Sequence, residues 1–162
     1  MKFNIFFILR DHFNTLRDFD LNNKISASDV FLFYFLPLCI SSGLMAFCNN
    51  INDSINDNLI AIFITVFSIF IGLLLNLLVL NIDLKQKFQE SKIKQIVAKQ
   101  TFINISYGIV VSILGVIFGL CTYLQIWVLP QIFTFLSYFI MVHFILTLFM
   151  IIKRVYKLFE TI

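Results

Sequence analysis

Long apolar stretches alternate with short polar ones along this chain. The apolar stretches are residues 30–48, 59–80, 101–123 and 132–152. At 1.5 Å of rise per residue, each makes a helix about long enough to cross a hydrocarbon layer roughly 30 Å thick. The pattern predicts an all-α polytopic membrane protein with four transmembrane helices. Residues 1–29 precede this bundle, residues 81–100 form its central loop and residues 153–162 follow it.

A different periodicity marks the first residues. Phe6, Leu9, Phe13 and Leu16 recur at spacings of three and four, while Arg10, Asn14, Arg17 and Asp18 populate other faces. This predicts an N-terminal amphipathic helix that lies in the membrane interface or packs on a neighbouring subunit. It does not read as a signal peptide, because Arg10, Asp11 and Arg17 follow its apolar stretch at once. Ser26 and Asp29 have capping-box spacing and place the start of the first span just after Ser26.

Each span carries a feature that bears on packing or chemistry. Pro37 removes one backbone donor from the first span and leaves a carbonyl in need of a local partner, and Ser41, Ser42 and Gly43 beyond it suit a close helix contact. Asn76 lies in the inner third of the second span, where a lone amide is expected to bond to a neighbouring helix or to line a pore. In the third span Gly108, Ser112, Gly115 and Gly119 keep to one face and predict close helix packing or oligomerisation. Asn104 and Tyr107 sit at its inner end, and Tyr123 and Trp127 mark the outer interface. The fourth span contains His143, with Thr147 one turn on; an ionisable group at that depth faces the bundle interior or a water-filled cavity. Asn76, Asn104, His143 and Thr147 are thus the candidates for intramembrane polar or gating roles. His12 and His143 are expected on opposite sides of the inner interface.

Composition agrees with the pattern. Hydrophobic residues make up 60% and charged residues 13%, against about a quarter charged in a soluble domain. Charge adds orientation. All 12 Lys and Arg residues fall in residues 1–29, 81–100 and 153–162, and none in the connections 49–58 and 124–131. Basic residues favour the cytoplasmic side, so both termini and the central loop are expected there. The low use of Ala and the abundance of Asn, Ile, Lys and Phe fit an AT-rich bacterial genome, and the membrane expected is a bacterial inner membrane. Arg10, Arg17, Lys85, Lys87, Lys92, Lys94 and Lys99 are the expected contacts for lipid phosphates or an acidic partner. So few charges without a folded platform argue against direct nucleic-acid binding.

Catalytic signatures are missing from the sequence. Cys39, Cys48 and Cys121 lack metal-ligand spacing, although Cys48 and Cys121 both lie near outer helix ends, where a disulfide is conceivable. The four apolar stretches hold no Asp or Glu of the kind proton-coupled transport uses, and no phosphate loop is visible. The expectation is a protein without enzymatic activity or cofactor.

Two function classes lead, and a lipid-handling protein, favoured by little beyond aromatic content, is a third. One is a membrane subunit that self-associates and presents its basic segments to a cytoplasmic protein. The other is an oligomeric pore or depolarising effector. The layout of a short amphipathic helix, four spans and a basic central loop, with the run Phe67-Ser68-Ile69-Phe70-Ile71-Gly72-Leu73-Leu74-Leu75-Asn76-Leu77-Leu78, resembles small four-pass proteins of bacterial antiphage defence operons, such as the membrane subunit of the Kiwa system. That resemblance implies a homo-oligomer, such as a tetramer, that senses phage-induced membrane change and holds a cytoplasmic effector. It carries over no functional residues.

Overall fold

The computed structural model describes residues 5–15, 31–48, 53–87, 92–124 and 130–160, and these are helical almost throughout, with no strand among them. The helices are α1 (Ile5–Thr15), α2 (Leu36–Cys48), α3 (Asp53–Lys87), α4 (Lys92–Tyr123) and α5 (Pro130–Glu160), and a π-helical turn, Phe31–Phe35, leads into α2. Ser26, Asp29 and Trp127 lie outside the described residues, as do Leu16, Arg17 and Asp18.

Three segments are long and apolar enough to cross a membrane: Asn58–Lys85, Lys94–Tyr123 and Gln131–Tyr156. A shorter apolar one runs over Phe31–Phe47. The central loop is largely absorbed into helix. α3 continues to Lys87 and α4 begins at Lys92, because residues 81–100 contain no Gly or Pro to interrupt either.

The long helices pack in the order α2, α5, α4, α3, with α1 laid against α4 and with little contact between α2 and α3. α4 is central. In its most apolar window 44% of residues are buried, against 11% in α3. Glycine is the reason α3 lies so close to α4. A Cβ on Gly115 would stand 2.6 Å from the Phe67 ring, and one on Gly119 would stand 2.7 Å from Ile64. Gly108 sits where α3 and α5 converge, with Leu74 and Ile151 both near its missing Cβ. The small-residue stripe of the third span is therefore filled by the chain's own helices.

Phe67 and Leu74 from α3, Ile105, Tyr107 and Val111 from α4, and Phe144 and Ile151 from α5 form the buried core. Phe144 meets Phe67 and Phe70 edge-on, with ring centroids 5.2 and 5.4 Å apart. At the far end of α4, Thr122 and Ser137 join their hydroxyls at 3.1 Å and pin α4 to α5.

Candidate functional site

Where α1 meets α4 and α5, the structure gathers polar side chains from these three helices and a backbone carbonyl from the turn before α2. It starts from Pro37. That residue has no N–H to offer the carbonyl of Phe33, four positions earlier. His143 of α5 takes the donor's place, with Nδ1 3.1 Å from the Phe33 oxygen. A carbonyl only accepts, so Nδ1 carries the proton and, in the neutral ring, Nε2 is the acceptor. Nε2 duly receives the Tyr107 hydroxyl at 2.6 Å. Thr147 donates to the His143 carbonyl at 2.9 Å. Every polar atom of the imidazole is thereby satisfied, as burial demands.

Tyr107 also supports His12. The two rings stack with centroids 3.7 Å apart and planes 5° from parallel. On its edge, His12 Nδ1 donates to Oδ1 of Asn104 at 3.0 Å. The single Thr15 hydroxyl proton has two acceptors in reach, the same oxygen at 2.9 Å and the His12 carbonyl at 2.7 Å. Arg154 of α5 closes the site with a 2.6 Å bond to the Thr15 carbonyl, the end of α1, and a 3.3 Å bond to Gln100 Oε1 of α4. The cation sits at the C-terminal end of a helix dipole, where it stabilises most.

α1 thus docks by a mixed face, in which His12 and Thr15 lie beside half-buried Ile8 and Leu9 that pack on the core. His12 and Thr15 are buried, whereas Phe6, Phe7 and Phe13 are 78%, 55% and 45% exposed. Arg10 is exposed and lies over the Phe7 ring at 4.8 Å. Burial lowers the pKa of His12 from 6.5 to about 4; the Asn104 hydrogen bond partly opposes this, and the nearby His143 and Arg154 reinforce it. Two buried atoms here, His12 Nε2 and Asn104 Nδ2, have no hydrogen-bond partner among the described residues.

The sequence candidates divide. Asn104, His143 and Thr147 come together; His143 and Thr147 spend their hydrogen bonds within the chain, and Asn104 does so through Oδ1 alone. Asn76 stands apart, exposed on the outer side of α3. His12 and His143 do not lie on opposite sides of an interface. They meet on one tyrosine, because α1 packs against α4 at the depth of Asn104 and Tyr107. Gly108, Ser112, Gly115 and Gly119 are all buried between helices. Lys85 and Lys99 are exposed and Lys94 is half-buried, while the side chains of Arg17, Lys87 and Lys92 lie outside the described set. Cys121 is a free thiol, and the Cys48 side chain is also outside that set. No group of three metal-ligating side chains occurs among the described residues.

Sequence reasoning passed over His12, Thr15 and Arg154. The available signal was the spacing of Ile8, His12 and Thr15, a second stripe on α1 beside the aromatic one. Comparisons with protein-family models, curated proteins and solved structures found no match.

Proposed function

We propose that this chain is a four-span membrane subunit with both termini in the cytoplasm, which self-associates and passes a change in the bilayer to a cytoplasmic protein through α1. The observation that carries this is the docking of α1, with His12 and Thr15 buried beside half-buried Ile8 and Leu9 and with three phenylalanines outside. A helix held by a few hydrogen bonds, each worth about 1 kcal/mol net, and by two half-buried apolar side chains is held reversibly. Its contacts come from α4 (Asn104, Tyr107) and from α5 (Arg154), so a change in the tilt of those helices pulls the site apart. Release would free α1 together with its exposed rings, which suit the membrane interface.

The connections 49–58 and 124–131, 10 and 8 residues long, are too short for a receptor domain. The stimulus that fits is therefore the bilayer itself, as perturbed during phage attack. Lys85 and Lys99 stand exposed at the same end as α1 and suit an acidic protein surface. No part of this reading requires a cofactor or catalysis.

The test is affinity purification from the native host in mild detergent, paired with tag accessibility at each terminus. A cytoplasmic protein should co-purify with the wild type, and less of it after alanine replaces Lys85, Lys87, Lys92, Lys94 and Lys99. Asn104→Leu, which undoes the docking of α1, should alter its recovery as well. Recovery indifferent to all six positions, or a terminus reachable from outside, removes the proposal.

A further inference from the structure

α3 has two heptad seams, and the chain fills only one of them. Ile60, Phe67, Leu74 and Asn81, spaced by sevens, are buried against the rest of the bundle. On the opposite side Ile62, Thr65, Ile69, Gly72, Asn76 and Val79 follow at spacings of three, four, three, four and three, and all six are exposed. That alternation averages 3.5 residues per turn, the period by which parallel helices interlock.

Two of these positions indicate what covers the seam. Asn76 is exposed on a helix otherwise suited to hydrocarbon, and its carboxamide bonds to no other described residue. Lipid tails offer an amide no partner, and leaving one unpaired there is costly. The hydroxyls of Thr65 and Ser68 have no such need, since each bonds a carbonyl one turn back, at 2.9 and 2.8 Å. One turn before Asn76, nothing lies within 4 Å of the place where a Cβ on Gly72 would stand, so another backbone can approach there. Toward the start of α3 the seam borders an open surface hollow of about 400 Å³ lined by Asn58, Ala61, Ile62, Thr65 and Val66.

We propose that a second copy of this chain docks on the seam, α3 against α3, with the two Asn76 carboxamides hydrogen-bonded across the symmetry axis. Copies of one chain enter a membrane in one orientation, so a two-fold between them runs along the membrane normal and the paired helices are parallel. Identical residues then face each other. A carboxamide is donor and acceptor at once and is its own complement. A single Asn in an apolar heptad seam also sets register and copy number. The inference rests on the self-association proposed above and adds the surface responsible.

The experiment uses the full chain in detergent and in vesicles, with Cys39, Cys48 and Cys121 replaced by serine. Under mild oxidation, Ile69→Cys and Gly72→Cys should each give a covalent dimer. Leu75→Cys, exposed on α3 but off the seam, should not. Asn76→Leu should weaken the dimer roughly tenfold by analytical ultracentrifugation, with the thermal unfolding midpoint of the protomer retained. An oligomer of unchanged mass in Asn76→Leu, without cross-links at positions 69 and 72, places the interface elsewhere while self-association stands. A monomeric wild type removes both. Cross-links at those positions to a different protein overturn the second-copy assignment.

Discussion

Acidification should undock α1, and His12 sets the size of the effect. In the docked state burial holds its pKa at about 4, against 6.5 for a free histidine. Docking therefore favours the neutral ring. The contribution is fully present above pH 6.5, falls as the pH drops through 6.5, and levels off below about pH 4. The downward shift sets a ceiling of about 3 kcal/mol, most of which is lost by pH 4.5, a change on the order of tens of fold in the docking equilibrium. The groups around the ring are Asn104 and Tyr107 of α4, His143 and Arg154 of α5, and Phe33. Hydrogen–deuterium exchange of residues 5–15 in lipid nanodiscs, corrected for intrinsic rates at each pH, reads the opening directly. Protection should fall by that factor between pH 7.5 and 4.5 in the wild type and stay level in His12→Gln. An equal fall in both proteins would refute the assignment to His12, and a flat wild-type profile would refute the latch.

Tyr107→Phe deprives His143 Nε2 of its 2.6 Å donor and should lower stability by about 1–3 kcal/mol, visible as a reduced midpoint by scanning fluorimetry in detergent. Gly115→Leu drives atoms into the Phe67 ring, which a Cβ alone would approach to 2.6 Å; a loss of about 1–3 kcal/mol should follow, with partial relief on adding Phe67→Ala. Pro37→Ala returns an N–H to the Phe33 carbonyl, so His143→Phe should cost about 1 kcal/mol less in that background than alone, as a double-mutant cycle would measure.

How much of this was legible beforehand differs from residue to residue. Apolar run length located the three long spans, since a helix in hydrocarbon has to satisfy its backbone internally over a set distance. Pro37 announced a carbonyl in need of a partner, yet no local pattern says that a side chain 110 positions away supplies it. The Gly115 and Gly119 spacing announced a close helix contact. It could not say whether the approaching helix belongs to the same chain, because Phe67 and Ile64 would serve equally from either. α1 was the least transparent element. Its Phe spacing suggests an apolar docking face, whereas in a membrane protein an aromatic face has a second solvent to choose. Burial then falls to His12 and Thr15, the residues whose hydrogen-bond needs only the bundle can meet.

The apolar segment Phe31–Phe47 packs chiefly on α5. Its Phe33 carbonyl is tethered to His143 and through Tyr107 to the ring under α1. A displacement of this segment would therefore load one hydrogen bond that lies two contacts away from the N-terminal helix.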